Sequence, residues 1–349
     1  MSLYHSQLYR SDLKAALSVV PGLEQLEGRS ILIAGATGLI GSFLTDMLLE
    51  YNSSREGNMK IYLVSRNMAH LHKRFDAAGA ACLHYLEHDV SEPLPFDFGV
   101  DYLFHAASNA YPASFNQDPV GTILGNVLGT KHLLDYGRAH GMRRFLFVSS
   151  GEVYGQSDAD VEAYDEGFSG YVDPMSPRSC YPNGKRVSET LCVSYAKQFG
   201  VDVVVGRPCH TYGPNVTDSD NRANVQFVNN VLRGEDIVMK SAGLQVRSYC
   251  YIADCASALL TVMLNGEKNE AYNIANPESV VSIAGFAKEV AGQAGRKLVY
   301  ATPDLSDMAE RTPISRQILD AKKLCELGWK GQFPLEKGIS HTLGILKEM

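Results

Sequence analysis

Four side chains define the chemistry this chain could attempt: the Ser150 hydroxyl, the Glu152 carboxylate, the Tyr181 phenol and the Lys185 ammonium. Tyr181 and Lys185 are spaced i, i+4, so on a helix they share a face. A neighbouring ammonium favours the phenolate and would lower the phenol's pKa into a working range. Ser150 could bond the same substrate hydroxyl that such a tyrosine deprotonates, and Glu152 is a candidate acid/base group for an adjacent carbon. Together they suit transient oxidation of a hydroxyl-bearing carbon, with carbon-acid chemistry beside it. With 18 tyrosines present, one Tyr-x-x-x-Lys spacing arises easily by chance. Position gives it meaning: it follows a strand ending in Ser149-Ser150 and lies downstream of a glycine motif.

That motif, Gly35-Ala-Thr37-Gly38-Leu39-Ile40-Gly41, joins an apolar run at 30–35 to helical spacing from Leu39 to Leu49. A tight turn, a backbone that can approach a pyrophosphate and N–H groups at a helix start make this a dinucleotide-binding pattern. The second strand, 60–64, is followed by Ser65-Arg66-Asn67 and lacks the acid that usually meets the ribose hydroxyls of NAD. Arg66 could stack on adenine or pair with a 2′-phosphate, which leaves NADP open beside NAD. Asp89 and Val90, after the third strand, suit contact with the adenine.

Further strands are expected at 101–105, 144–149 and 201–206, with long helices at 119–139 and 179–199. Strands alternating with helices argue for an α/β Rossmann fold, a doubly wound parallel sheet with a smaller C-terminal substrate-binding lobe. The expected division is 1–209 for the dinucleotide-binding domain, with late sheet elements near 244–265, and 210–349 for the lobe, with short helices at 224–233, 282–293 and 320–327. The first 28 residues read as a helical lead-in without evident chemistry. The connection 155–178 is long enough to be a functional lid or a packed surface loop.

The formal net charge of −7 argues against nonspecific nucleic-acid or anionic-membrane partners. No stretch resembles a signal peptide or a membrane span. Seven cysteines without a paired spacing read as reduced thiols of a cytoplasmic protein. His84 and His88 could share a helix face, but without an acidic partner pattern they do not make a metal site, and none is expected.

The chain resembles an extended short-chain dehydrogenase/reductase, of the NAD-dependent epimerase/dehydratase family acting on nucleotide sugars. The resemblance runs from about residue 29 through Gly35–Ser42, His105-Ala106-Ala107-Ser108, Asn126–Thr130, Ser150 with Tyr181 and Lys185, Arg207–Pro214, Arg247–Asp254 and Leu327-Gly-Trp329. It implies a tightly bound NAD held also by Ala106, Ala107, Ser108, Asn126, Pro208, Tyr181 and Lys185. It further implies a nucleotide-diphosphate sugar met by Ser108, Arg178, His210, Arg222, Gln226 and Arg247, and a homodimer formed through helices 119–139 and 179–199. The segment from Asp173 to Glu189 most resembles UDP-glucuronate decarboxylases. Glu152 is shared by decarboxylases and 4,6-dehydratases and is generally missing from simple 4-epimerases. Gly151 stands where dehydratases resembling this chain place an acidic aspartate. His210 stands where relatives usually carry asparagine. The reading is a nucleotide-sugar lyase using transient C4 oxidation, decarboxylase ahead of 4,6-dehydratase, with a 4-epimerase or a non-catalytic cofactor sensor as alternatives.

Overall fold

A computed structural model describes residues 3–349 apart from 56–57, 158–160, 218–219 and 302–313. Parts of the expected connection and of the expected lobe thus lie outside the described residues. Strands β1 (Ser30–Ala34), β2 (Lys60–Ser65), β3 (Leu83–Glu87), β4 (Tyr102–His105), β5 (Arg144–Val148), β6 (Val203–Pro208) and β10 (Ala271–Ile274) form one sheet in the order β10-β6-β5-β4-β1-β2-β3. Every neighbouring pair is parallel. The strand residues explain why. Ile31, Leu32, Ile33 and Ala34 are all buried, as are Phe145, Leu146, Phe147 and Val148, and an apolar run without alternation needs both sheet faces covered.

Helices supply the two covers. On one face α5 (Pro119–Ala139) and α6 (Cys180–Phe199) pack side by side, and Leu133, Leu134, Cys192 and Tyr195 meet Leu32, Leu103, Phe145 and Val203. On the other, α2 (Leu39–Arg55) and α8 (Ile252–Asn265) press Phe43, Met47, Leu259 and Met263 onto Ile31, Ile33, Leu146 and Val204. Strand order reverses between β1 and β4. The crevice at their carboxyl ends is therefore where a doubly wound sheet binds its ligand.

The late sheet elements differ from expectation. The strand that joins the large sheet is β10, whereas 252–265 is the helix α8, buried along almost its whole length. An apolar stretch buried all round carries no amphipathic period, so sequence pattern alone cannot separate helix from strand there. Strand β9 (Val246–Tyr251) instead centres a second sheet with β7 (His210–Tyr212), β11 (Val280–Ser282) and β13 (Arg316–Gln317). Around it lie α7 (Ala223–Leu232), α9 (Ile283–Gln293), α10 (Lys322–Glu326), α11 (Leu335–Lys347) and the pair β8 (Ile237–Met239) and β12 (Leu298–Tyr300).

His84 and His88 do not share a helix. His84 lies in β3 and stacks on Tyr62 at 4.8 Å, while His88 follows the strand and sets its ring edge against Phe96. Ile61 to Ser65 pair in register with Leu83 to Glu87, and this pairing holds 83–87 extended.

The lead-in is a helix, α1 (Gln7–Ser18), whose start is capped by the Ser6 side chain accepting from the Tyr9 N–H at 3.1 Å. It ties distant parts together. Tyr9 donates to Asp46 of α2 at 2.5 Å and accepts from Asn215 at 2.7 Å, and Arg74 also pairs with Asp46. Asp12 is buried and accepts from Tyr251 at 2.6 Å, with His341 of α11 at 2.7 Å on its other oxygen.

Candidate active site

The glycine turn leaves no room for side chains. Gly35 has φ of 85°, and a Cβ there would lie 2.6 Å from the Ala106 carbonyl carbon and from the Ala107 nitrogen. A Cβ on Gly41 would lie 2.3 Å from the Gly35 oxygen. Backbone thus meets backbone between the β1 and β4 ends, and α2 begins at Leu39 directly on this turn, with its Ser42 N–H donating to the Gly38 carbonyl at 2.9 Å. Beside this cradle the buried Ser108 Oγ and Asn126 Oδ1 have no hydrogen-bond partner among the described residues. These residues fit a dinucleotide.

At the adenosine end, Arg66 and Asp89 face each other at 3.9 Å and both are exposed. Burial would raise the Asp89 carboxyl, but hydrogen bonds from Ser91 and the nearby Arg66 charge bring it below its ordinary value. Val90 packs its side chain into the core and gives its carbonyl oxygen to the His132 ring at 3.3 Å. Pro208 ends β6, at the crevice edge.

Tyr181 and Lys185 lie in the first turns of α6, both buried. Lys185 donates to the Val148 carbonyl at 2.8 Å and stands 4.7 Å over the Phe147 ring. Burial lowers its ammonium to about 7, against the pull of Glu189. The Tyr181 ring stacks on Phe115 at 4.7 Å, from α4 (Pro112–Gln117). Its phenol does not show the lowering expected from Lys185. Burial pushes it up to about 12 and the Glu152 charge pushes the same way, while a hydrogen bond with Ser150 and the charges of Arg222 and Arg178 pull it back.

Ser150 caps a short 3-10 turn, Gly151–Tyr154, by accepting from the Glu152 N–H at 3.1 Å. The cap turns Glu152 toward Arg178, and the two make a forked pair, 3.2 Å and 3.3 Å. Arg178 also lies 4.7 Å over the Phe115 ring. Arg178 thus links Glu152 to Phe115, the ring on which Tyr181 stacks. Gly151 sits against apolar neighbours: a Cβ there would lie 3.2 Å from Leu319 Cδ1, next to a cluster of Val153, Tyr154 and Ala275. The Pro208 carbonyl oxygen lies 3.5 Å from the same point. Ser149 is not available to substrate, because its hydroxyl donates to Glu189 at 2.5 Å and Glu189 is forked by Arg207.

The lobe brings His210, Arg222 and Arg247 into one electrostatic neighbourhood. Burial and the charges of Arg247 and Arg222 push His210 down to about 3, so its imidazole is neutral. Arg222 is held by Asp220 at 2.6 Å and donates to the Thr211 carbonyl, while Arg247 donates to the Val246 and Ile314 carbonyls. Gln226 is exposed and donates to the Asn221 carbonyl at 2.7 Å.

Phe115, Glu189, Arg207 and Asn273 have no chemical signature in the sequence. Tyr154 proves to be packing with a polar tip, donating to Asn273 at 2.6 Å.

Comparison with known proteins agrees with this geometry. Residues 31–275 match the family model described as the NAD dependent epimerase/dehydratase family. The chain is 34% identical over 338 residues to UDP-glucuronic acid decarboxylase 1 of Xenopus tropicalis, covering 93% of this chain and 74% of that one. It is 36% identical over 323 residues to UDP-glucuronic acid decarboxylase 3 of Arabidopsis thaliana, covering 88% of this chain and 86% of that one. Among solved structures, a UDP-glucose 4-epimerase of Thermotoga maritima with UDP-glucose superposes with a TM-score of 0.74 at 25% identity, covering 91% of this chain and 99% of that one. The dTDP-glucose 4,6-dehydratase DesIV of Streptomyces venezuelae, with NAD bound, gives a TM-score of 0.75 at 23% identity over 91% and 97% of the chains and shares the fold.

Proposed function

The chain belongs to the NAD-dependent epimerase/dehydratase family, and from that premise we propose that it is a nucleotide-sugar lyase that decarboxylates UDP-glucuronate. The Gly35–Gly41 turn, Ser108 and Asn126 would hold NAD, which would supply reversible hydride exchange at C4 of the sugar. The chain's own part begins with Tyr181, which receives the C4 hydroxyl proton while Ser150 orients that hydroxyl. Lys185, held over Phe147, positions the nicotinamide ribose. With C4 a ketone, the C5 carboxylate belongs to a β-keto acid. Loss of CO₂ leaves its electron pair on the C4–C5 enolate, and a proton must then reach C5. Glu152 is the acid/base group for that transfer, directly or through a water it holds. Arg247 and Arg222 hold the diphosphate, His210 and Gln226 lie along the sugar nucleotide, and Ser108 reaches substrate from the β4 end.

One observation separates this reading from dehydration. Position 151 is glycine, so no acid stands where dehydratases resembling this chain place one, and a Cβ there would meet Leu319 Cδ1 at 3.2 Å. The decarboxylases among the relatives, at 34% and 36% identity, support the same choice. Arg66 would meet a 2′-phosphate, but Asp89, 3.9 Å away, would repel it, which favours NAD over NADP. The exposed Val120, Leu124, Val187, Val193 and Phe199 on α5 and α6 support a homodimer through these two helices. Seven free cysteines support a reducing, cytoplasmic setting, and no described helix is long and apolar enough to cross a membrane.

Incubation with UDP-glucuronate, UDP-glucose, dTDP-glucose and CDP-glucose, followed by mass spectrometry, tests the reading. The expected result is loss of CO₂ from UDP-glucuronate alone. Failure to turn over UDP-glucuronate with cofactor retained would sink it. Loss of water from a glucose nucleotide would make the protein a dehydratase, and an unchanged mass with altered configuration a 4-epimerase. A Tyr181→Phe variant as active as the parent would point to a cofactor sensor.

A further inference from the structure

We propose that Arg178 is the receptor for the carboxylate of an acidic sugar, and that Glu152 occupies it as an internal stand-in which the incoming carboxylate displaces. The proposal rests on the glucuronate reading above only for the choice of acid.

The geometry supplies the argument. Arg178 presents both terminal nitrogens to the two oxygens of Glu152 at 3.2 Å and 3.3 Å, the end-on fork by which arginine binds any carboxylate. The pair is open to solvent, with side-chain exposures of 44% for Arg178 and 32% for Glu152. An ion pair so exposed contributes little by itself, so a second carboxylate can replace the first at small cost. The guanidinium is also on the reacting side of the cleft. It lies 4.7 Å over the Phe115 ring, and the Tyr181 ring stacks on that same ring at 4.7 Å.

The other cations of the site have other tasks in the reading above, Lys185 at the nicotinamide ribose and Arg222 and Arg247 at the diphosphate. Lys185 is buried and donates to the Val148 carbonyl. Arg222 is forked to Asp220, and Arg247 donates to two backbone carbonyls. Arg178 alone among these four is held by a carboxylate that itself faces the chemistry. Exchange would therefore do two things together. It would select an acidic over a neutral sugar, and it would release Glu152 beside the substrate when that substrate carries the group to be lost.

The test is binding, measured by calorimetry on NAD-loaded protein in a Tyr181→Phe background so that the ligand persists. UDP-glucuronate and UDP-glucose are compared in each variant, and the neutral ligand reports on folding. Arg178→Gln should cut the preference for UDP-glucuronate by about tenfold and leave UDP-glucose affinity unchanged. Arg178→Lys, which keeps charge without the fork, should fall between the two. Glu152→Gln removes the competitor and should raise the preference several-fold, and it carries the test alone if Arg178→Gln does not fold. Equal weakening of both ligands by Arg178→Gln, or an unchanged preference in Glu152→Gln, would overturn the proposal. The functional reading is judged separately by CO₂ release from the unsubstituted protein. A chain that prefers acidic ligands through Arg178 but releases no CO₂ refutes that reading and leaves this one standing.

Discussion

Tyr181 is set by opposing neighbours. Burial and Glu152 raise its phenol to about 12, and Ser150, Arg222 and Arg178 oppose them. At neutral pH the ground state carries the proton, so turnover gains as pH rises toward the phenol's value. Removing the Glu152 charge favours the phenolate. The acid limb of the kcat/KM profile in Glu152→Gln should therefore move to lower pH even as the maximal rate falls, by about a hundredfold if Glu152 moves a proton. A limb that stays in place would separate Glu152 from Tyr181 electrostatically. Much of this site is legible as residues: Ser150, Tyr181 and Lys185 stand at the ends of elements that the apolar runs predict. The counter-charges are not legible. Arg178 finds Glu152 across 26 residues, and Phe115 is one of 13 phenylalanines with nothing in its neighbours to mark it as the ring beneath the phenol.

At the scale of elements, the glycine turn joins strand, helix and cofactor in one constraint. Gly41 opens α2 with its Cα against the Gly35 carbonyl, where an added methyl would lie 2.3 Å from a backbone oxygen that cannot rotate away. Gly41→Ala should lose about 1–3 kcal/mol in urea denaturation and should fail to retain NAD on gel filtration. Unchanged stability would mean that the turn relaxes more than its contacts allow. The parallel strands follow from short unbroken apolar runs bounded by glycine and polar residues, and the two long helices from the longer stretches between them. The exchange of β10 for α8 as the late sheet element does not. In α8 the residues from Ile252 to Leu264 are all buried, and a helix that buries every side leaves no stripe to read.

For the molecule as a whole, the outer face of α5 and α6 is the surface that is least at home in water. Val120 is 64% exposed, with Leu124, Val187, Val193 and Phe199 all above 40%. A Leu124→Glu substitution places a charge at the middle of that face. In the homodimer proposed above it should convert the dimer to a monomer in sedimentation velocity while leaving the circular dichroism unchanged, and a dimer that persists would place the interface elsewhere. The ties made by α1 bear on how such a chain is completed during synthesis. Asp12 precedes its partner His341 by 329 residues, and Tyr251 by 239. At ribosomal rates of about 5–20 residues per second, roughly 15–65 s separate the first of these groups from the last. Until Tyr251 is made, a carboxylate destined for the interior lacks the first of its two partners. A chain that stops short of α11 could thus set α1 on α2 through Tyr9 and Asp46 while leaving Asp12 without its His341 partner.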